Sequence, residues 1–292
     1  MLRFPTMRVA AASVAVALLA AGCAAGQRAS RAGPQESGDP GVVHVHGLGV
    51  DPVDDTLYAA THTGLFAVAG DGGARRVGGG YHDLMGFTIV GHDDFVASGH
   101  PDLASDDLQR PGRPPLLGLV HSDDQGRSWE PISLLGDVDF HSLEHVHGRV
   151  YGWDATSGRF MVSDDRRHWR TRSRAPLLDF AVSPDDPELI VATSQDGLVR
   201  STDGGRTWNP AAAEPALVIA WRRDGPVAAT GRGRVLAGDA SGEHWRTRGD
   251  LGGPPAALLA QGDDLYAAVH NQGLLRSGDG GATWRLILRT LS

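Results

Sequence analysis

The sequence contains no lysine, so all 27 basic side chains are arginine, and they are scattered rather than clustered. Set against 35 acidic residues they leave a net charge of −8. A dispersed acidic surface repels phosphate backbones, which argues against nucleic-acid binding. Cysteine occurs once, at Cys23, so no internal disulfide can staple the chain. Aromatic residues make up only 6% and tyrosine occurs four times. Long apolar runs are also missing. Val9 to Ala21 is the longest, and it is shorter than the roughly 20 residues a membrane-spanning helix needs.

What is abundant is glycine, with 40 residues, alongside 17 prolines. That composition suits many short strands joined by tight turns better than it suits helices. The N-terminus reads as targeting information. Arg3 and Arg8 precede the apolar run, and Leu19-Ala20-Ala21-Gly22-Cys23 resembles a bacterial lipobox, with Ala20 where leucine is usual. The expected organisation is a leader over 1–22, lipidation at Cys23, a flexible tether over 23–41 and a folded domain over 42–292. The expected location is the outer face of the cell membrane, held by the lipid anchor alone, with the protein a monomer.

From residue 42 onward the chain repeats. Ser122 to Trp129, Ser201 to Trp208 and Ser277 to Trp284 share the pattern Ser-x-Asp-x-Gly-x-x-Trp. Weaker copies run from Ser163 to Trp169 and from Gly238 to Trp245, and a worn one surrounds Asp71-Gly-Gly73, with Arg76 at the tryptophan position. Trp129, Trp169, Trp208, Trp245 and Trp284 follow one another at intervals of 40, 39, 37 and 39 residues. A period near 40 with strand-like patterning predicts an all-β, single β-propeller of six four-stranded blades. Within the motif, serine and aspartate should hydrogen-bond a tight turn, glycine should supply positive φ, and tryptophan should wedge beside the sheet. Asp124, Asp203 and Asp279 are therefore expected to be structural.

Loop parity then sorts the histidines, ten of which fall between His44 and His147. In up-and-down blades, the entries to first strands and the loops between second and third strands share one face. That face should collect His44, His46, His62, Met85 and His141 as candidate ligands for a transition metal, zinc or copper. Tyr81, His82, His100, Asp154, Asp179 and His270 join them as candidate ligand-binding residues. His46, Met85, His141 and approximately Asp179 are expected at one equivalent position of successive blades. Residues 101–116, rich in proline, should form a loop over part of that rim. His92, His145 and His147 belong to the opposite face.

The motif repeats, which cover nearly the whole expected mature chain, resemble the Asp-box (BNR-repeat) propellers, a group that includes sialidases, the sortilin ectodomain and the photosystem II assembly factor. His44-Val-His-Gly-Leu-Gly-Val-Asp-Pro52 with Ala60-Thr-His-Thr-Gly-Leu-Phe66 is similar to a narrower set of bacterial secreted propellers, commonly labelled glycosyl hydrolase or exo-α-sialidase. The resemblance implies the propeller fold and, as one alternative, sialidase-like hydrolysis. Sialidase chemistry calls for an arginine clamp, a tyrosine nucleophile and an Arg-Ile-Pro motif. The expected mature chain has no Arg-Ile-Pro, and Tyr58, Tyr151 and Tyr266 read as strand packing residues. The preferred expectation is a non-enzymatic envelope protein that binds a ligand, a metal ion or a partner protein through the histidine-rich rim.

Overall fold

A computed structural model describes residues 38–70 and 72–290. Cys23, the leader and most of the tether lie outside the described residues. The folded unit contains six four-stranded antiparallel sheets, each made from one continuous stretch of chain. Blade 1 holds β1 (Val45–Val50), β2 (Leu57–Thr61), β3 (Gly64–Val68) and β4 (Ala74–Val77). Blade 2 holds β5 (Asp83–Gly91), β6 (Asp94–His100), β7 (Leu119–Ser122) and β8 (Glu130–Ser133). Blade 3 holds β9 (Phe140–Val146), β10 (Arg149–Asp154), β11 (Arg159–Ser163) and β12 (Arg170–Arg174). Blade 4 holds β13 (Leu177–Val182), β14 (Ile190–Ser194), β15 (Gly197–Ser201) and β16 (Asn209–Ala212). Blade 5 holds β17 (Val218–Arg222), β18 (Gly225–Ala229), β19 (Arg234–Gly238) and β20 (Trp245–Asp250). Blade 6 holds β21 (Pro255–Gln261), β22 (Asp264–Val269), β23 (Gly273–Ser277) and β24 (Arg285–Leu288). The first strands β1, β5, β9, β13, β17 and β21 neighbour one another in a ring, with β21 returning to β1. This is the expected six-bladed propeller.

The core sits in the seams between blades rather than in one centre. Six apolar clusters occupy the six seams, one each. Second strands are buried on both faces and read accordingly: β2 is Leu-Tyr-Ala-Ala-Thr and β14 is Ile-Val-Ala-Thr-Ser, buried at every position. Fourth strands are mostly exposed and carry arginines, as in Arg-Thr-Arg-Ser-Arg of β12. Such charge on an outer edge discourages edge-to-edge pairing between molecules.

The repeated turns are held by their own side chains. Ser201 Oγ donates to Asp203 Oδ1 at 2.8 Å and accepts from the Gly205 amide at 2.9 Å. Asp203 in turn accepts from the Thr207 amide and hydroxyl at 2.9 and 2.7 Å. The same four bonds recur at Ser122, Asp124, Gly126 and Ser128, and at Ser277, Asp279, Gly281 and Thr283. In blades 3 and 5 a histidine replaces the hydroxyl: His168 Nδ1 meets Asp165 and His244 Nδ1 meets Asp239 at 2.7 and 2.8 Å. Each motif tryptophan packs into the seam with the preceding blade, for example Trp208 edge-on to Phe160 with ring centroids 5.4 Å apart. Carboxylates so occupied are turn fasteners.

Candidate functional site: a histidine–aspartate cluster at the channel mouth

The first strands enclose a central cavity of about 220 Å³ whose lining includes His46, Met85 and His141. A shared irregularity places these three side chains. The β1–β2 register skips at His46, β5–β6 at Met85 and β9–β10 at His141. A bulge of one extra residue near the start of a strand turns that side chain out of the sheet's alternation, and here it turns toward the axis. In blade 4 the register skips at Leu178, and in blade 6 at Ala256. Leu178, rather than Asp179, therefore holds the position equivalent to His46. The mouth is polar on the side of blades 1–3 and apolar on the side of blades 4–6, where Leu178, Leu217 and Ala256 line it.

Two aspartates that sequence reasoning passed over organise the polar half. Asp83 Oδ2 lies 3.0 Å from His62 Nδ1 and 3.5 Å from His100 Nδ1, while Asp83 Oδ1 lies 3.4 Å from His46 Nε2. Asp139 Oδ2 lies 2.9 Å from His141 Nε2 and 3.6 Å from His100 Nε2. His100 thus bridges the two carboxylates, and four histidines from three blades share two acids. Burial alone would raise the Asp83 carboxyl, but His46, His62 and His100 hold it below its ordinary value. Asp139 is almost fully buried, at 6% side-chain exposure.

Satisfaction is incomplete where it matters. His46 Nε2 and Asp83 Oδ1 are buried and contact each other at 3.4 Å, and neither makes a well-formed hydrogen bond. Buried polar atoms are nearly always satisfied, so a facing donor–acceptor pair left open marks a place built for something else. The ligand atoms of His46, His62 and Asp83 lie within 4.8 Å of one another. A tetrahedral zinc ion with bonds near 2.0–2.1 Å sets its ligand atoms about 3.3 Å apart. The 3.4 Å from His46 Nε2 and the 3.0 Å from His62 Nδ1 are of that order but run to different oxygens of Asp83, so the carboxylate stands between the two imidazoles. By contrast, the Asp51, Asp54 and His92 group is closed on itself: His92 Nδ1 reaches both Asp51 oxygens at 2.8 and 2.9 Å, and Gln125 covers the ring.

The remaining candidates fall into place around this cluster. His44 has φ +46° and is exposed, its ring 6.3 Å from those of His62 and His270. His270 is also exposed and stands outside the His–Asp contacts. His82 is buried, and its Nδ1 accepts from the Asp102 amide at 2.9 Å. It anchors the 101–116 loop, and burial pushes its imidazole below the ordinary range. That loop is tied down elsewhere by buried Leu108 and by Arg110 on Asp137, and none of it lines the channel. Tyr81 is exposed, with the Arg76 guanidinium 4.0 Å from its ring centroid, and it too lies outside the channel lining.

Asp154 is fully buried in its own turn, accepting from Thr156 at 2.7 Å and pairing with Arg159 at 3.0 Å. The structure gives it a fastening task instead of a place in the mouth. Asp179 accepts from Ser142 Oγ at 2.7 Å and from the Phe180 and Ile219 amides at 2.9 Å, so it stitches blades 3, 4 and 5 together. Burial pushes it up to about 6. Asp83 and Asp139 each stand two residues before a bulge residue, as His44 does before His46, a relation that only the strand registers disclose.

No family model matches the sequence, and no curated protein does either. Solved structures do share the architecture. The GH74 xyloglucanase of Xanthomonas campestris superposes with a TM-score of 0.56 at 18% identity, covering 84% of this chain and 45% of the enzyme. The chain therefore spans less than half of that protein. YCF48 bound to D1 peptide gives 0.53 at 17% identity, with 84% and 82% covered. A nidogen/laminin complex gives 0.59 at 11% identity, with 76% and 88% covered. At these identities the likeness bears on the propeller fold alone.

Proposed function

We propose that this protein is an exported propeller, anchored to the outer face of the cell membrane through Cys23, that binds a transition-metal ion at the mouth of its channel. His46, His62 and Asp83 are the ligands. Two imidazole nitrogens and one carboxylate oxygen suit zinc, and Met85 at the same rim adds a soft donor that would favour copper. His100, His141 and Asp139 form the surrounding layer that orients the ligands, the arrangement in which outer carboxylates and imidazoles fix ligand geometry. The observation that carries the reading is the buried pair His46 Nε2 and Asp83 Oδ1, neither of which makes a well-formed hydrogen bond. An acidic chain of net charge −8 also concentrates cations near its surface. The anchor rests on the lipobox-like run ending at Cys23, and neighbours of the same fold include propellers solved with protein or peptide partners.

A sialidase-like hydrolase is the alternative reading. It needs an arginine clamp and a tyrosine nucleophile, and among the described residues neither arginine nor tyrosine lines the channel. The deciding experiment is metal content of the purified protein after equilibration with zinc or copper and exhaustive dialysis. One equivalent is expected, lost in His46→Ala and Asp83→Ala and kept in His270→Ala. A wild-type protein without stoichiometric metal, or variants that keep it, would overturn the proposal; turnover of a glycoside panel by metal-free protein would favour the alternative.

A further inference from the structure

Below the metal cluster, the channel wall carries two carboxyl groups that have no basic partner. Buried or half-buried acids elsewhere in the propeller face a basic side chain: Asp51 faces His92, Asp94 faces Arg166, Asp139 faces His141 and Asp154 faces Arg159. Among the described residues, no arginine or histidine pairs with Glu144 or Asp179. Asp179 has both oxygens engaged by hydrogen-bond donors. Glu144, on β9, gives one oxygen to the Val182 amide at 2.8 Å and lines the cavity. Its second oxygen has no partner among the described residues.

We infer that the channel is a binding site for a small organic cation, a primary ammonium on a short aliphatic body, with Glu144 as its counter-charge. The walls decide the class of ligand. Alkyl side chains of Ala181, Val218, Ala220 and Ala260 line the cavity, together with the hydroxyls of Thr88 and Ser142. A hard metal ion such as calcium requires six or more oxygen ligands, whereas both Asp179 oxygens, Ser142 Oγ and one Glu144 oxygen are already engaged. An alkylammonium needs one anion and an apolar surface, and the channel offers both. The volume of about 220 Å³ falls below the roughly 300–1,000 Å³ of pockets for drug-sized ligands, so the body must be short.

Binding is coupled to a proton. Burial and the nearby Asp179 push the Glu144 carboxyl up to about 8, so at pH 7 it carries a proton. Pairing with R–NH₃⁺ releases that proton to solvent and leaves carboxylate against ammonium, so charge and atoms balance. The other titratable groups facing this region are Asp179 on β13, Tyr151 paired across from Glu144 on β10, and His46 and His141 at the mouth. His145 follows on the same strand. The β5, β17 and β21 lining near Glu144 contributes no titratable group.

The inference stands apart from the metal site, so the test runs in chelator, where failure of one leaves the other untouched. Calorimetric titration with n-butylamine, in two amine-free buffers of different ionisation heat, measures both affinity and proton release. Expected are release of close to one proton at pH 7, affinity rising about tenfold per pH unit below pH 8, and no binding of n-butanol at the same concentration. Glu144→Gln, which keeps an acceptor for the Val182 amide, should bind at least tenfold more weakly and release no proton. Equal binding of butylamine and butanol, affinity independent of pH, or an unchanged Glu144→Gln variant that melts like wild type would each overturn it. So would calcium or potassium displacing the amine at equimolar concentration.

Discussion

Glu144 gives the propeller a stability that falls as pH rises, and its size follows from the structure. The carboxyl has an ordinary value of 4.5 in the unfolded chain and is pushed up to about 8 when folded. Between those values the folded state holds a proton that the unfolded state has released. The contribution is therefore fully present below about pH 4.5 and is lost progressively as pH climbs to 8. Asp179 behaves likewise between 3.8 and about 6, so the interval above pH 6.5 isolates Glu144. From pH 6.5 to 8, one proton at 1.36 kcal/mol per pH unit amounts to about 2 kcal/mol. For a domain of this size that is a fall of about 4–8 °C in melting temperature. The assay is thermal unfolding in chelator and amine-free buffer from pH 5 to 9, comparing wild type with Glu144→Gln. The amide mimics the protonated acid, so histidine titrations cancel in the difference between the curves. The variant should match wild type near pH 6 and melt higher at pH 8.5. Parallel curves across that interval would refute the assignment of the proton to Glu144.

Two further outcomes follow from the blades themselves. Gly197 has φ +131°, and a methyl there would stand 2.3 Å from the Ala212 carbonyl oxygen, so Gly197→Ala should destabilise by about 2 kcal/mol or more in denaturant unfolding. Asp203→Ala removes four acceptor contacts from one turn and should lower stability by about 1–3 kcal/mol near neutral pH. Asp203 is held near 2 by hydrogen bonds from Thr207 and Ser201 that outweigh its partial burial. The difference between variant and wild type, read from urea midpoints, should therefore be full above about pH 4 and shrink as pH falls toward 2.

The architecture was legible because the turn chemistry repeats. Tryptophan recurs every 37 to 40 residues from Trp129 onward, and the three full copies of the motif, in blades 2, 4 and 6, close the same hydrogen bonds. Loop parity likewise led to His46, Met85 and His141, which line one cavity. Resolution failed at the scale of one residue. Asp179 was aligned with His46, yet the extra residue of the blade 4 bulge is Leu178, and a one-residue slip moves a side chain to the other face. Bulges leave no mark in hydrophobic alternation, so pattern reading does not find them. Asp83 and Asp139 were missed for a related reason. They sit at blade entries, outside the repeat, and their importance arises only when β6 brings His100 between them. Asp154 and His82 were over-read: polar residues near a channel mouth also fasten turns and loops, and sequence alone does not separate the tasks.

Ring closure is a separate question, and the strand order answers it. Each blade is one continuous segment, so among the described residues no strand from blade 1 completes the last blade. The seam between blades 6 and 1 is held by side chains: Val45, Leu48 and Phe66 from blade 1 meet Ala257, Leu274 and Leu288 from blade 6. This seam also lacks the tryptophan wedge, because the first repeat carries Arg76 at that position and the guanidinium lies over Phe66 and Tyr81 instead. Leu274 is fully buried there, while Leu265 is fully buried in the blade 5–6 seam, where Trp284 adds packing. Truncating a buried leucine to alanine costs about 2–5 kcal/mol, with the larger values where neighbours cannot collapse into the space. A seam without the tryptophan wedge depends more heavily on each remaining apolar contact. Leu274→Ala should therefore promote opening of the ring at that seam ahead of global unfolding. Hydrogen exchange would read this as faster amide exchange confined to blades 1 and 6. Leu265→Ala should lower global stability by a similar amount without that local signature. Uniform acceleration around the whole ring in Leu274→Ala would mean that the closing seam is no weaker than the other five.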